Sequence, residues 1–224
     1  MIIPRFSAVA DAAVLVEFAD DLSDEALARV RSLDHALAAE PLPGVLEWVP
    51  AYTGLMVVFD PVLTDHAQLE RGMTGLLARP DNAEARPSER RVEICYDGGF
   101  APDLTEVARQ TGLSPEAVIA AHLAGEYRVA MYGFAPGYAY LSGVPEPLRL
   151  PRKPAALRGV PAGSVIIAGA QCLVTTLTMP TGWWIIGRSP TPILDAAAAR
   201  PFLFDPGDRV RFRRIAAAAM GAPG

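Results

Sequence analysis

Lysine is almost missing from this chain. Of the 20 basic residues in 224, Lys153 is the single lysine and the rest are arginine. No GxxxxGK[ST] segment exists, and that lysine sits in the proline-rich run LPRKP, so a P-loop is excluded. Histidine is scarce as well. His35, His66 and His122 fall in three different predicted helices without HExxH spacing, so no metal site is expected. No G-x-S-x-G segment marks a nucleophile elbow. No run of about 18 apolar residues is present, so no membrane span is expected. The opening MIIPRFSAVADAAVLVEF lacks a basic region followed by an apolar core and a small-residue cleavage site. The expectation is no signal peptide, a cytoplasmic location, and reduced, buried thiols at Cys95 and Cys172.

What is present is ample apolar material, 51% of residues, enough for one large domain or two small ones. The net charge of −5 is unevenly spread. Residues 1–125 hold 20 acids and 9 bases, whereas residues 126–224 hold 5 acids and 11 bases. Arginine suits carboxylates and phosphates, so the second half is the place to expect an anionic ligand or an acidic partner.

Hydrophobic periodicity divides the chain. VLVEF (14–18) reads as a strand. Ser23 then caps a helix whose Leu27, Val30, Leu33 and Leu37 share one face. VLEWVPAY (45–52) and GLMVVFD (54–60) read as a strand pair, and a second helix starts near Thr64 and Asp65. Residues 1–79 are thus expected to be a small α/β domain of pattern β-α-β-β-α. The polar RPDNAEARPSER run places a linker at 80–90. Residues 91–224 form the second domain. It opens with the strand RVEICYD (91–97), followed by two short helices. Asp103 and Glu106 have capping-box spacing, Gly112 ends the first helix, and Ser114 with Pro115 starts the second. That helix–turn–helix layout carries no Arg or Lys from Ser114 to Gly125, so it is a structural pair and no nucleic acid partner is expected. EYRVAMY (126–132) is a strand. Eleven Gly or Pro residues among positions 133–163 predict a long, stiff, wrapped loop. SVIIAG (164–169), CLVTTLTM (172–179), WWIIG (183–187) and RVRFRRI (209–215) then read as short strands of a closed barrel or sandwich, with PGD (206–208) a turn and the tail AAAAMGAPG frayed.

One constellation carries chemistry. Gly133, Phe134, Pro136, Gly137 and Tyr138 combine backbone freedom with flat aromatic walls. Arg152 and Arg188 offer guanidinium forks for a carboxylate or phosphate. The backbone of 161–164, with Gly163 and the Ser164 hydroxyl, reads as an anion nest. Gln171 offers an amide for orientation, and Trp183 a further wall. Composition alone leaves open a turn-rich β-protein whose arginines pair locally. No catalytic nucleophile is assigned.

GFAPGYAYL (133–141), LPRKP (150–154), VPAGSVIIAGAQ (160–171), GWWIIGRSP (182–190) and FDPGDRVRF (204–212) occur in the order seen in the carboxyltransferase C/D-subdomain family, which the chain resembles over nearly its whole length. Members of that family are labelled allophanate hydrolase subunit 1, the B-type subunit of 5-oxoprolinase, or inhibitor of a sporulation sensor kinase. The resemblance implies an α+β fold, a small α/β N-terminal domain plus a cyclophilin-like β-barrel C-terminal domain. It implies an A/B-subdomain cyclophilin-like partner and a third subunit. Together these would open 5-oxoproline to glutamate with ATP as co-substrate, this chain binding a small carboxylate or amide and holding no tight cofactor. Two alternatives stay open: a binding module that inhibits a sensor histidine kinase, and half of a carboxyltransferase of the urea and allophanate pathway with biotin on another chain. The sequence departs from the family pattern at Cys172-Leu173, Thr175-Thr176, Thr181 and Tyr138.

Overall fold

The strand expected over VLVEF is one half of a hairpin. In a computed structural model, which describes residues 3–21, 23–79 and 88–220, β1 (Arg5–Val9) runs antiparallel to β2 (Ala13–Glu17). β1 escapes the sequence reading because most of RFSAV is exposed and shows no apolar alternation. The Ser23 hydroxyl accepts from the Ala26 N–H at 3.1 Å and starts α1 (Asp24–Ala39), whose Leu27, Val30, Leu33 and Leu37 are buried. β3 (Val45–Pro50) and β4 (Gly54–Phe59) follow. The Asp65 carboxylate accepts from the Gln68 N–H at 2.8 Å and starts α2 (His66–Leu77). The elements run β-β-α-β-β-α along the chain, one strand more than the expected β-α-β-β-α, and the sheet order is β1-β2-β4-β3. Val14, Val16, Val57 and Phe59 share one core with Leu33, Leu37, Leu69 and Met73 of the helices.

The chain divides into two compact units, Met1–Arg86 and Pro87–Gly224. Of the expected linker 80–90, positions 80–87 lie outside the described residues, as do 221–224 of the tail. Glu89 and Arg90 already belong to β5 (Glu89–Cys95). In the second unit α3 (Leu104–Thr111) ends at Gly112, whose φ of +71° is the left-handed cap. The Ser114 hydroxyl then starts α4 (Pro115–Ala124). β6 (Tyr127–Tyr132) and β7 (Ala139–Ser142) form a hairpin. β8 (Leu157–Val160), β9 (Ser164–Ala168), β10 (Gln171–Val174), β11 (Met179–Thr181), β12 (Trp184–Arg188) and β13 (Arg209–Ile215) complete the set. Positions 133–163 are therefore not one wrapped loop. They hold β7, β8 and a single 3-10 turn at Glu146–Leu148, because Gly and Pro crowd the strand ends and leave room for four-residue strands.

Among the described residues seven strands close a barrel in the order β10-β7-β6-β13-β5-β12-β9, while β11 and β8 pair as a separate ribbon. β13 lies parallel to β5 from Arg209↔Glu89 to Ile215↔Cys95. Asp208 in the PGD turn fixes that register: it accepts from the Ser88 N–H at 2.9 Å and from Arg90 Nε at 2.7 Å. The barrel interior is filled by Val92, Ile94, Val129, Leu141, Val165, Ile167, Val174, Ile186 and Phe212, with Val107, Val118 and Ile119 added by the helices. A second cluster lies on the outer side of the same wall: Ile166, Leu173 and Ile185 from β9, β10 and β12 pack with Val160 of the ribbon, Tyr138 and Trp183. All five residues of β9 are buried, which is why SVIIA reads as a continuous apolar run and not as an alternation.

His122 of α4 is fully buried in the core. Its Nδ1 is 2.7 Å from the Tyr96 hydroxyl and its Nε2 is 3.6 Å from Cys172 Sγ. Burial pushes its pKa from 6.5 down to about 3, so the ring is neutral in the native state. The unfolded state binds a proton that the folded state refuses between pH 6.5 and 3. Stability from this residue is therefore complete above pH 6.5 and falls as pH drops, by up to about 1.4 kcal/mol per pH unit. Urea melts at pH 7, 6 and 5 are expected to show that fall in the parent and a shallower one in His122→Gln. Equal slopes would show that His122 does not carry it.

Candidate functional site

The β6–β7 hairpin loop builds one wall of a cavity. Its backbone is tied within itself: the Gly133 N–H donates to Tyr138 O at 3.1 Å and the Tyr138 N–H to Ala135 O at 3.0 Å. Phe134 has φ +71°, the left-handed region that costs a side chain about 1–2 kcal/mol, and the residue is 76% exposed. Gly137 also has positive φ, and a Cβ there would come within 3.1 Å of the Thr176 methyl group and 3.3 Å of Leu194 Cβ. The Thr176 hydroxyl donates to Pro136 O at 2.7 Å and pins the loop to the barrel.

From this loop a line of rings crosses the outer wall. Phe134 and Tyr138 have centroids 5.5 Å apart, Tyr138 and Tyr140 6.5 Å, and Tyr140 and Trp183 6.0 Å. The Arg152 guanidinium lies 5.7 Å from the Trp183 ring centroid. Together with Thr181 these residues line a cavity of about 180 Å³, and Ile166 and Leu173 are further lining residues. Arg152 has no ion pair or hydrogen bond among the described residues, so its fork is available. Burial pushes the Tyr138 hydroxyl up to about 12, and it stays a neutral donor at physiological pH. No carboxylate, histidine or cysteine is among the described residues lining the cavity. The arrangement can hold a small, partly apolar anion; it supplies no general base.

Arg152 is held from both sides. The Trp184 indole N–H donates to Pro151 O at 2.7 Å, and the Lys153 N–H donates to Gly182 O at 2.7 Å. Lys153 Nζ reaches Asp103 Oδ2 at 2.7 Å, with the two side chains 12% and 19% exposed. The same Asp103 oxygen accepts from the Ile185 N–H at 2.7 Å. The capping box expected of Asp103 and Glu106 therefore does not form: Asp103 makes no side-chain cap, and Glu106 binds Arg109 and Gln110 instead.

Other expected site residues lie elsewhere. Arg188 is at the far end of β12, roughly 16 Å of strand from Trp183, and its Nε donates to Ala162 O at 3.3 Å. The two arginines do not converge on one ligand. The 161–164 turn does not present a row of open donors, because three of them are spent. The Gly163 N–H donates to Thr175 O at 2.6 Å, the Ser164 N–H to Thr175 Oγ1 at 2.9 Å, and the Ser164 hydroxyl to Pro161 O at 2.8 Å. Gly163 is structural: a Cβ there would come within 2.4 Å of Ser189 O. Gln171 opens β10 opposite Ser142 and Ala168 and does not line the cavity. The departures from the family pattern have local roles. Thr175 and Thr176 fasten two loops, the Thr181 hydroxyl accepts from the Trp183 N–H at 3.1 Å, and Cys172 faces His122 in the core. Tyr140, a ring of the aromatic stretch, and Thr181, one of the departures from the family pattern, both line the cavity; the Asp103–Lys153 pair that braces it had as its one signal in the sequence a solitary lysine beside Arg152.

The architecture is that of an α+β protein whose larger unit is a cyclophilin-like closed barrel. Residues 4–204 match the carboxyltransferase domain family, subdomain C and D, and the chain belongs to that family. It is 36% identical over 222 residues to the B-type subunit of 5-oxoprolinase from Bacillus subtilis (strain 168), covering 92% of this chain and 90% of that protein. The same-named protein of Escherichia coli O157:H7 is 35% identical over 208 residues, covering 91% and 93%. The solved structure of TTHA0988 superposes with a TM-score of 0.81 at 39% identity over 92% of this chain, which spans only 40% of that longer chain. Kluyveromyces lactis urea carboxylase shares the fold at a TM-score of 0.71 and 16% identity, over 95% of this chain and 22% of that one.

Asp103→Ala is expected to lower the unfolding free energy by about 2 kcal/mol in urea melts at pH 7, since it strands a half-buried ammonium and a backbone N–H. A loss below about 0.5 kcal/mol would place the pair among inert surface ion pairs.

Proposed function

We propose that this chain is the B-type subunit of a cytoplasmic, ATP-hydrolysing enzyme that opens 5-oxoproline to glutamate, working with an A/B-subdomain partner and a third subunit. The observation that supports this reading is the aromatic cavity with one available guanidinium, in a chain whose relatives over nine-tenths of its length are named as the B-type subunit of 5-oxoprolinase. 5-Oxoproline is a five-membered lactam with one carboxylate. Arg152 binds the carboxylate through its fork, and the ring packs against Trp183 and Tyr138. Ring opening adds water to the lactam carbonyl and breaks the C–N bond with proton transfer to nitrogen. The described residues lining the cavity include no carboxylate, histidine or cysteine to move that proton, so on this reading the acid–base residues are supplied from outside the cavity. This chain's part is to bind and orient. The exposed Phe134, held in a strained conformation at the rim, fits a contact with the partner.

With its partner subunits present, phosphate release from ATP is expected to depend on 5-oxoproline. Arg152→Gln is expected to raise KM for 5-oxoproline about 10- to 100-fold, the loss of one charge-assisted contact, with a smaller change in kcat. Phosphate release indifferent to 5-oxoproline, or an Arg152→Gln enzyme with unchanged KM, would overturn the reading.

A further inference from the structure

Tyr138 is 4% exposed and packs in one cluster with Val160, Ile166, Leu173 and Trp183 on the outer side of the barrel wall. Two backbone bonds of its own loop, from the Gly133 N–H to Tyr138 O and from the Tyr138 N–H to Ala135 O, fix where its ring leaves the chain. The phenol of a tyrosine buried this deeply ordinarily finds a partner. Among the described residues this one has none, for its hydroxyl makes no hydrogen bond. Nor is its oxygen sealed inside the protein. The space that Tyr138 lines is the aromatic cavity, so the hydroxyl opens into it.

Two donors of different kind thus meet a space of about 180 Å³, below the roughly 300–1,000 Å³ of pockets for drug-sized ligands. The Arg152 fork suits a carboxylate. The Tyr138 O–H needs one lone pair from a second acceptor. The apolar walls of Ile166, Leu173 and Trp183 suit the carbon between the two. A ligand with a carboxylate alone would satisfy Arg152 and leave the phenol unpaired. A site built to hydrogen-bond a group rejects the analogue that lacks it, because a desolvated polar partner is stranded.

This inference rests on the reading of the cavity as the place where 5-oxoproline binds. We propose that Tyr138 determines the specificity of that site: its hydroxyl donates to the lactam carbonyl oxygen while Arg152 holds the carboxylate. The cavity then selects cyclic carboxylates that bear a second, carbonyl oxygen over carboxylates of the same ring size that do not. The walls measure the ring, Arg152 reads the charge, and Tyr138 reads the amide.

The test compares 5-oxoproline with cyclopentanecarboxylate, which has the same ring size and charge and no lactam group. With the partner subunits present, 5-oxoproline-dependent phosphate release gives KM, and cyclopentanecarboxylate as a competitor gives Ki. In the parent, Ki is expected to exceed KM about 10- to 100-fold, the effect of one unpaired donor. Tyr138→Phe is expected to raise KM about 10-fold and to leave Ki within about twofold, so that the preference for the lactam shrinks. Arg152→Gln is expected to raise both constants alike and keep their ratio. A measurement without any variant uses the assembled enzyme with 13C-tyrosine in this chain: the Tyr138 Cζ signal is expected to shift with saturating 5-oxoproline and to stay in place with cyclopentanecarboxylate. An unchanged KM in Tyr138→Phe, KM and Ki raised alike, or a Cζ signal that responds equally to both ligands would overturn the role of Tyr138, while a raised KM in Arg152→Gln leaves the reading of the cavity standing. Phosphate release indifferent to 5-oxoproline, or an unchanged KM in Arg152→Gln, would overturn both.

Discussion

The Asp103 carboxylate is the interaction on which the candidate site depends. It stands where a helix cap would be expected and does not cap. It spends one oxygen on Lys153 Nζ and on the Ile185 N–H, while its own N–H donates to Ile185 O at 3.1 Å. The start of α3, the middle of β12 and the Arg152 segment are joined at one residue. A half-buried carboxylate is costly alone, and two strong donors offset that cost. Arg152 lies between Pro151 and Lys153, both fastened to the residues around Trp183 and Trp184. Its guanidinium is thereby kept over an indole face with little freedom to wander.

The cavity exists because one stretch of barrel wall is apolar on both sides. Val165 and Ile167 face the barrel core while Ile166 faces outward with Leu173 and Ile185. The β8–β11 ribbon covers part of that outer face, and the aromatic hairpin loop covers another part. Threonines hold these covers in place: Thr176 to Pro136, Thr175 to Pro161, Thr181 to Trp183. Binding surface and fastening are thus supplied by this chain, and groups able to move protons are not among the residues lining the cavity.

Much of the frame was legible in the sequence. Ser23, Ser114 and Asp65 start helices where side-chain oxygens precede apolar periodicity, and β9, β12 and β13 coincide with short apolar or alternating runs. β1 was not legible, since its exposed residues carry no periodic signal. β7 and β8 were hidden by the Gly and Pro residues that flank them. At the site, the aromatic loop, Arg152 and Trp183 meet in one cavity. Arg188 and the 161–164 turn do not join it, because pairing along β12 and the demands of buried N–H groups are set by register, which a single chain of letters does not display. The Asp103–Lys153 pair joins residues 50 positions apart, and capping-box spacing pointed Asp103 to a different partner.

The most direct test of this account reads two indole protons in one sample. The Trp184 indole N–H is bonded to Pro151 O, and that of Trp48 to Asp34 Oδ1 at 2.7 Å in the first unit. Hydrogen exchange followed by NMR in Asp103→Asn is expected to accelerate Trp184 about tenfold or more, as the 151–153 segment loosens by roughly 1.4 kcal/mol, while Trp48 is unchanged. Equal protection of Trp184 in the parent and the variant would contradict the claim that Asp103 holds the site together.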